Sequence, residues 1–94
     1  MSDPVLHHVL FYDYVPDVLE RRAPYRPDHL AVAQRWKEEG RIVMAGALGS
    51  PPSGAMFVFL VEDPAEIEAF VAEDPYVLGG IVTGHRVVPW TVVI

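Results

Sequence analysis

Apolar residues recur along the chain with two different spacings. Val5 to Tyr12 is dense in Val, Leu, Phe and Tyr, as a strand is. From Asp13 to Pro27 the pattern breaks at Pro16, Pro24 and Pro27, which predicts a loop with one short turn around Val18-Leu19-Glu20. Pro27 suits the first turn of a helix and Gly40 the position just past its end. Between them His29, Val32, Ala33 and Trp36 follow the spacing of one helical face. Ile42 to Leu48 reads as a second strand, followed by a turn through Gly49-Ser50-Pro51-Pro52-Ser53-Gly54. Met56 to Val61 is an unbroken apolar run, a strand buried on both faces. Asp63-Pro64-Ala65-Glu66 has the residues of a helix start, with Asp63 as cap and Glu66 three positions on. Ile67, Phe70 and Val71 give that helix an inward face, and Pro75 ends it near Asp74. Gly79-Gly80 and Gly84 punctuate a connection, and Arg86 to Ile94 is a last strand in which Pro89 marks an edge or a bulge.

The order β-α-β-β-α-β is the split-βαβ pattern. It predicts one α+β domain over residues 1–94, a ferredoxin-like four-stranded antiparallel sheet with two helices on one face. The strands at Met56 to Val61 and Val87 to Ile94 are apolar on both sides of the pleat. The uncovered sheet face would be a large apolar patch, and such patches mark interfaces. A sheet-to-sheet homodimer, a dimeric α+β barrel, is the simplest cover. Composition agrees with this. A chain of 94 residues with 51% hydrophobic positions and a mean hydropathy of +0.21 has apolar surface in excess of what one small core absorbs.

Charge and cysteine content exclude several chemistries. The formal net charge is −6 with seven Lys and Arg and no basic cluster, so nucleic acid is not an expected partner. The absence of cysteine removes disulfides, thiol nucleophiles and thiolate-bound metals. Met1-Ser2-Asp3-Pro4 lacks a basic targeting region and no apolar run reaches membrane-spanning length, so the expected location is the cytoplasm. His7 and His8 are adjacent on a strand and point to opposite faces, and His85 has no histidine at a ligand spacing. No metal is expected.

His29 is the residue best placed for chemistry. It sits on the inward stripe of its helix, in a first turn that disfavours an imidazolium and so keeps the ring neutral, in the form that can accept a proton. Asp74, ending the second helix, can orient one ring nitrogen, provided the two helices run antiparallel. The same position also suits a hydrogen-bonded core histidine. Arg26 can clamp a substrate carboxylate or remain a solvated, helix-packing arginine. Tyr76 can line a pocket or simply pack. Ser50 lies at a strand end where a pocket can open, with no base beside it to make it a nucleophile.

Three segments together carry a resemblance: Arg26-Pro27-Asp28-His29-Leu30, then Glu39-Gly40-Arg41 leading to Ala45-Gly46, and Asp74-Pro75-Tyr76. In this order and spacing the chain resembles the YCII-related (YciI-like) family over nearly its whole length. The resemblance implies a dimeric ferredoxin-like fold with a pocket centred on a His/Asp pair, matching His29 and Asp74. Relatives include dehalogenating and muconolactone-isomerising enzymes. The expected function is a cofactor-free enzyme of lyase, isomerase, dehalogenase or hydrolase type, acting on a small organic acid or cyclic metabolite. His29 and Asp74 would form the acid–base pair, and Arg26, Tyr76 and Ser50 would contact substrate. The alternative is a noncatalytic module that binds a small ligand in the same dimer pocket. A haem-handling or oxygenase relative is permitted by the fold, but fold does not imply function.

Overall fold

The computed structural model describes residues 5–94. Met1-Ser2-Asp3-Pro4, read above for targeting signals, lies outside the described residues. The elements are β1 (Val5–Tyr14), α1 (Val18–Arg21), α2 (Arg26–Glu38), β2 (Ile42–Leu48), β3 (Gly54–Phe59), α3 (Ala65–Glu73), α4 (Pro75–Leu78) and β4 (Val82–Val92). The strands form one sheet in the order β2-β3-β1-β4, every neighbouring pair antiparallel. This is the ferredoxin-like α+β arrangement. Among the described residues no helix is long and apolar enough to cross a membrane.

The sheet register sorts the side chains into rows. Ala45, Phe57, Leu10 and Val87 run across the four strands on one face, followed by Ala47, Ala55, Tyr12 and His85. This face carries the main core, in which Trp36 of α2 and Ile67, Phe70 and Val71 of α3 close over Leu10, Tyr12, Phe57 and Phe59. Phe70 meets Phe57, Phe59 and Trp36 at centroid distances of 5.3, 5.4 and 5.4 Å. Offset aromatic pairs of this kind add about 0.5–1.5 kcal/mol each to plain area burial. The other face presents Met44, Val58, Val9 and Val88 in one row. Its centre is buried between the strands, while Met44, Val88 and Trp90 are exposed.

Several boundaries differ from those expected. β1 continues two residues past Tyr12, to a register shift at Asp13/Tyr14. β3 starts at Gly54, inside the expected turn, and stops at Phe59, leaving Leu60 exposed and Val61 half-buried. β4 begins at Val82, so Gly84 is a strand residue. Pro89 is on an edge strand, where a missing N–H costs no ladder bond to a further neighbour. Asp63 caps α3 as its sequence implies: its carboxylate accepts the Ala65 N–H at 2.9 Å, and Glu66 reaches back to the Asp63 N–H at 3.5 Å.

At Gly54 β3 lies close against the backbone of β1. A Cβ at this position would stand 2.2 Å from the backbone oxygen of Tyr12. Backbone cannot rotate aside as a side chain can, so Gly54→Ala must push the central strands apart. The expected cost is about 1–3 kcal/mol or more in urea unfolding. A variant as stable as the parent would show that the strands have room to spare.

Candidate active site

α2 begins with Pro27 in its first turn and carries His29 two residues further, its N–H donating to the Tyr25 carbonyl at 2.9 Å. Trp36, two turns on, anchors this helix in the core and donates its indole N–H to Glu73 at 3.0 Å. His29 is therefore held inward by its own helix. Asp74 is held by a different device. Pro75 disfavours helical geometry at the preceding residue, and Asp74 has ψ 120°. The chain breaks there and restarts as α4, with Pro75 opening the new turn and the Asp74 carboxylate as its cap.

That carboxylate is completely buried and accepts three hydrogen bonds. Oδ1 takes the Tyr76 N–H at 3.0 Å and lies 2.7 Å from His29 Nδ1, while Oδ2 takes the Tyr12 hydroxyl at 2.7 Å. A carboxylate only accepts, so Nδ1 of His29 carries the hydrogen and Nε2 is the basic nitrogen. Among the described residues no group engages Nε2, and the ring lines an open cavity. Tyr76 stacks on the imidazole at 3.7 Å with the planes 4° apart, and Phe57 meets it edge-on at 6.1 Å. These two rings fix the imidazole plane, while Asp74 fixes its rotation and tautomer.

The cavity measures about 340 Å³. Small residues of β2 and β3 (Ala45, Gly46, Ala47 and Ala55) form one wall, and His29, Leu30, Ala33, Phe57 and Tyr76 form another. Tyr14, Arg22 and Arg26 complete its lining. His29, Asp74, Tyr76 and Arg26 thus meet around one site. Ser50 does not join them: it is exposed in the β2–β3 turn, and Pro52 lines the cavity from that segment. Tyr12, Tyr14 and Arg22 belong to the site without having been read as such. The β1 alternation that puts Tyr12 and Tyr14 on the same face was the available signal. Among the described residues no group of three or more His, Asp and Glu is placed to hold a metal ion. His8 is buried with Nδ1 unpartnered, and His85 lies 3.0 Å from Glu68 on the far side of the sheet face.

Burial raises the Tyr12 phenol far above its ordinary value, and the adjacent Asp74 charge adds to the effect. The folded protein therefore holds a proton that the unfolded chain releases near pH 10. Stability must fall as pH rises above that point, by up to about 1.4 kcal/mol per pH unit from this group. Tyr12→Phe should flatten that alkaline limb in thermal melts. An unchanged limb would mean that Tyr12 is free to ionise in place.

Residues 6–91 match the model of the YCII-related domain. Protein YciI of Escherichia coli O6:H1 is 30% identical over 92 residues, which cover 88% of this chain and 94% of that protein. Protein YciI of Shigella flexneri matches equally. The fold is similar to that of the Burkholderia phenoliruptrix AC1100 5-chloro-2-hydroxyhydroquinone dehydrochlorinase TftG, solved with 2,5-dihydroxybenzoquinone. There the TM-score is 0.77 at 20% identity, covering 90% of this chain and 93% of that one. PA3566 of Pseudomonas aeruginosa is similar at TM-score 0.60 and 11% identity, covering 100% of this chain and 98% of that one. A family match over residues 6–91, on a ferredoxin-like sheet with the family's Arg-Pro-x-His-Leu and Asp-Pro-Tyr segments in place, makes this chain a member of the YCII-related family.

Proposed function

We propose that the protein is a cofactor-free acid–base enzyme acting on a small cyclic or acidic organic molecule, of lyase, isomerase, dehalogenase or hydrolase type. The observation that carries this reading is the His29–Asp74 contact at the wall of an open cavity, with Nε2 unengaged. Most buried side-chain nitrogens find a partner within the fold. Here Asp74 takes one, and the other is left for a ligand. In an elimination, Nε2 accepts the substrate proton, and the electron pair of the broken bond forms the new π bond as the leaving group departs with its own pair. In an isomerisation the same imidazolium returns the proton at a different carbon. Asp74 keeps the Nδ1–H tautomer throughout and stabilises the imidazolium between the two steps. Arg26 is the anion contact, and Tyr76 presents a flat apolar surface behind the imidazole.

The family and the likeness to TftG support a hydroxylated ring as the first substrate class to try. Incubating the protein with halogenated and unhalogenated hydroxyquinols and small unsaturated lactones, and following halide release and ultraviolet spectra, tests the reading. Turnover without added metal or cofactor is expected. Binding without any conversion across the panel would favour the noncatalytic module instead.

The functional unit is proposed to be a homodimer joined through the uncovered sheet face. The exposed Met44, Val88 and Trp90 beside the in-register apolar row support it. Sedimentation at micromolar concentration should give about twice the chain mass of 10.5 kDa, and Trp90→Asp should shift it toward monomer. A parent protein that sediments as a monomer would refute the dimer.

A further inference from the structure

The chain sets seven Lys and Arg against thirteen Asp and Glu, so basic side chains have acidic partners in excess. Three of them take one, and two more find a carbonyl or an aromatic ring. Arg21 lies 4.0 Å from Asp17, Arg35 pairs with Glu73, and Arg41 pairs with Glu39 while lying over Trp36. Arg86 covers the Phe11 ring at 4.4 Å, and Lys37 donates to the Val43 carbonyl at 2.9 Å. Among the described residues only Arg22 and Arg26 have no carboxylate, carbonyl or aromatic partner. Both line the cavity that holds His29. Asp28 is two residues from Arg26 and pairs with neither, and Asp74 is occupied by its three donors.

An unpartnered arginine in open water needs no explanation, but Arg22 is half-buried, and a partly desolvated guanidinium without a counter-charge is costly. We infer that Arg22 and Arg26 form a two-cation subsite that selects a dianionic ring, Arg22 being the residue that reads the second negative charge. This rests on the reading of the cavity as the substrate site. The arginines come from the end of α1 and the start of α2, four positions apart, so they approach the cavity from one side. Their planar donor forks match carboxylate, phenolate or enolate oxygens. Tyr14 stands beside them in the lining. Burial pushes its phenol up to about 12 despite the opposing fields of both arginines, so it remains a hydrogen-bond donor to the same anion. A volume of about 340 Å³ holds one substituted ring, since about 150 Å³ suffices for benzene.

Titration calorimetry with phthalate (two carboxylates on a ring) and benzoate (one) tests the inference without reference to turnover. Phthalate is expected to bind about tenfold or more tightly than benzoate, the scale of one charge-assisted hydrogen-bond set. Arg22→Gln should abolish that preference, Arg26→Gln should weaken both ligands, and Arg22→Lys should keep most of it, separating charge from folding. Equal affinities in the parent, no binding of either acid, or an unchanged preference in Arg22→Gln would each overturn the inference. A protein that shows the preference but converts no substrate leaves this subsite standing and removes the catalytic reading. Turnover dependent on His29 with no preference does the reverse.

Discussion

His29→Ala is expected to slow turnover by about 10²–10⁴-fold, the usual worth of a positioned general acid–base. The loss should appear in kcat, because the substrate contacts assigned to the arginines and Tyr76 survive the change. The variant's pH–rate profile should also lack the limb that the imidazole gives the parent. Some stability goes with it: the ring stacked on Tyr76 disappears, and Asp74 Oδ1 loses one of its two donors. Circular dichroism at the assay temperature will show the variant folded, so that the rate change reads as chemistry. A variant with the parent's turnover would remove His29 from the mechanism, whatever its position in the cavity.

Asp74→Ala should have the largest effect on stability of any single substitution in the site. It leaves the Tyr12 hydroxyl, the His29 ring N–H and the Tyr76 backbone N–H without their acceptor, all in buried surroundings. Each such orphan costs about 1–3 kcal/mol, so a loss of roughly 3 kcal/mol or more is expected in urea titration. That is a large part of the total for a domain this small. Asp74→Asn separates the two roles. Its amide oxygen can go on accepting from His29 and Tyr76, and its NH₂ can donate to a Tyr12 hydroxyl that rotates to accept. The fold should survive at a cost of about 1 kcal/mol, while turnover falls because no negative charge stabilises the imidazolium. Asp74→Asn with full activity would limit Asp74 to a structural role.

The order of strands and helices along the chain and the inward turn of His29 were legible in the sequence because each rests on short-range rules: pleat alternation, helical spacing, and Pro and Gly at element ends. The end of α3 at Asp74 was legible from Pro75 alone. α4 is not evident from the sequence, although Asp74-Pro75 repeats the Asp63-Pro64 signature of a helix start, because the glycines after it point to a plain connection. Strand limits slipped for a related reason. Gly54 reads as a turn residue by itself, and only the approach of Tyr12 across the sheet shows why a glycine belongs inside β3. The tyrosines of the site were hidden by their composition. Tyr12 and Tyr14 are good strand residues, and nothing local distinguishes a tyrosine that packs from one whose hydroxyl reaches a carboxylate 62 positions away. Arg22 was missed because its surroundings come from three separate elements.

The small residues of β2 divide the site between two kinds of inheritance. Ala45 and Ala47 face the cavity from an edge strand that pairs only with β3, and they add nothing to the main core. His29 and Asp74, the proposed acid–base pair, are fixed elsewhere, by a helix start and a Pro-broken helix end that the core and three hydrogen bonds hold in place. A larger side chain at either alanine can reshape the space offered to a ligand without moving a proton-transfer atom. The shape of the ligand space and the placement of His29 on Asp74 are therefore separately adjustable in this chain, the first along β2 and the second at the helix ends.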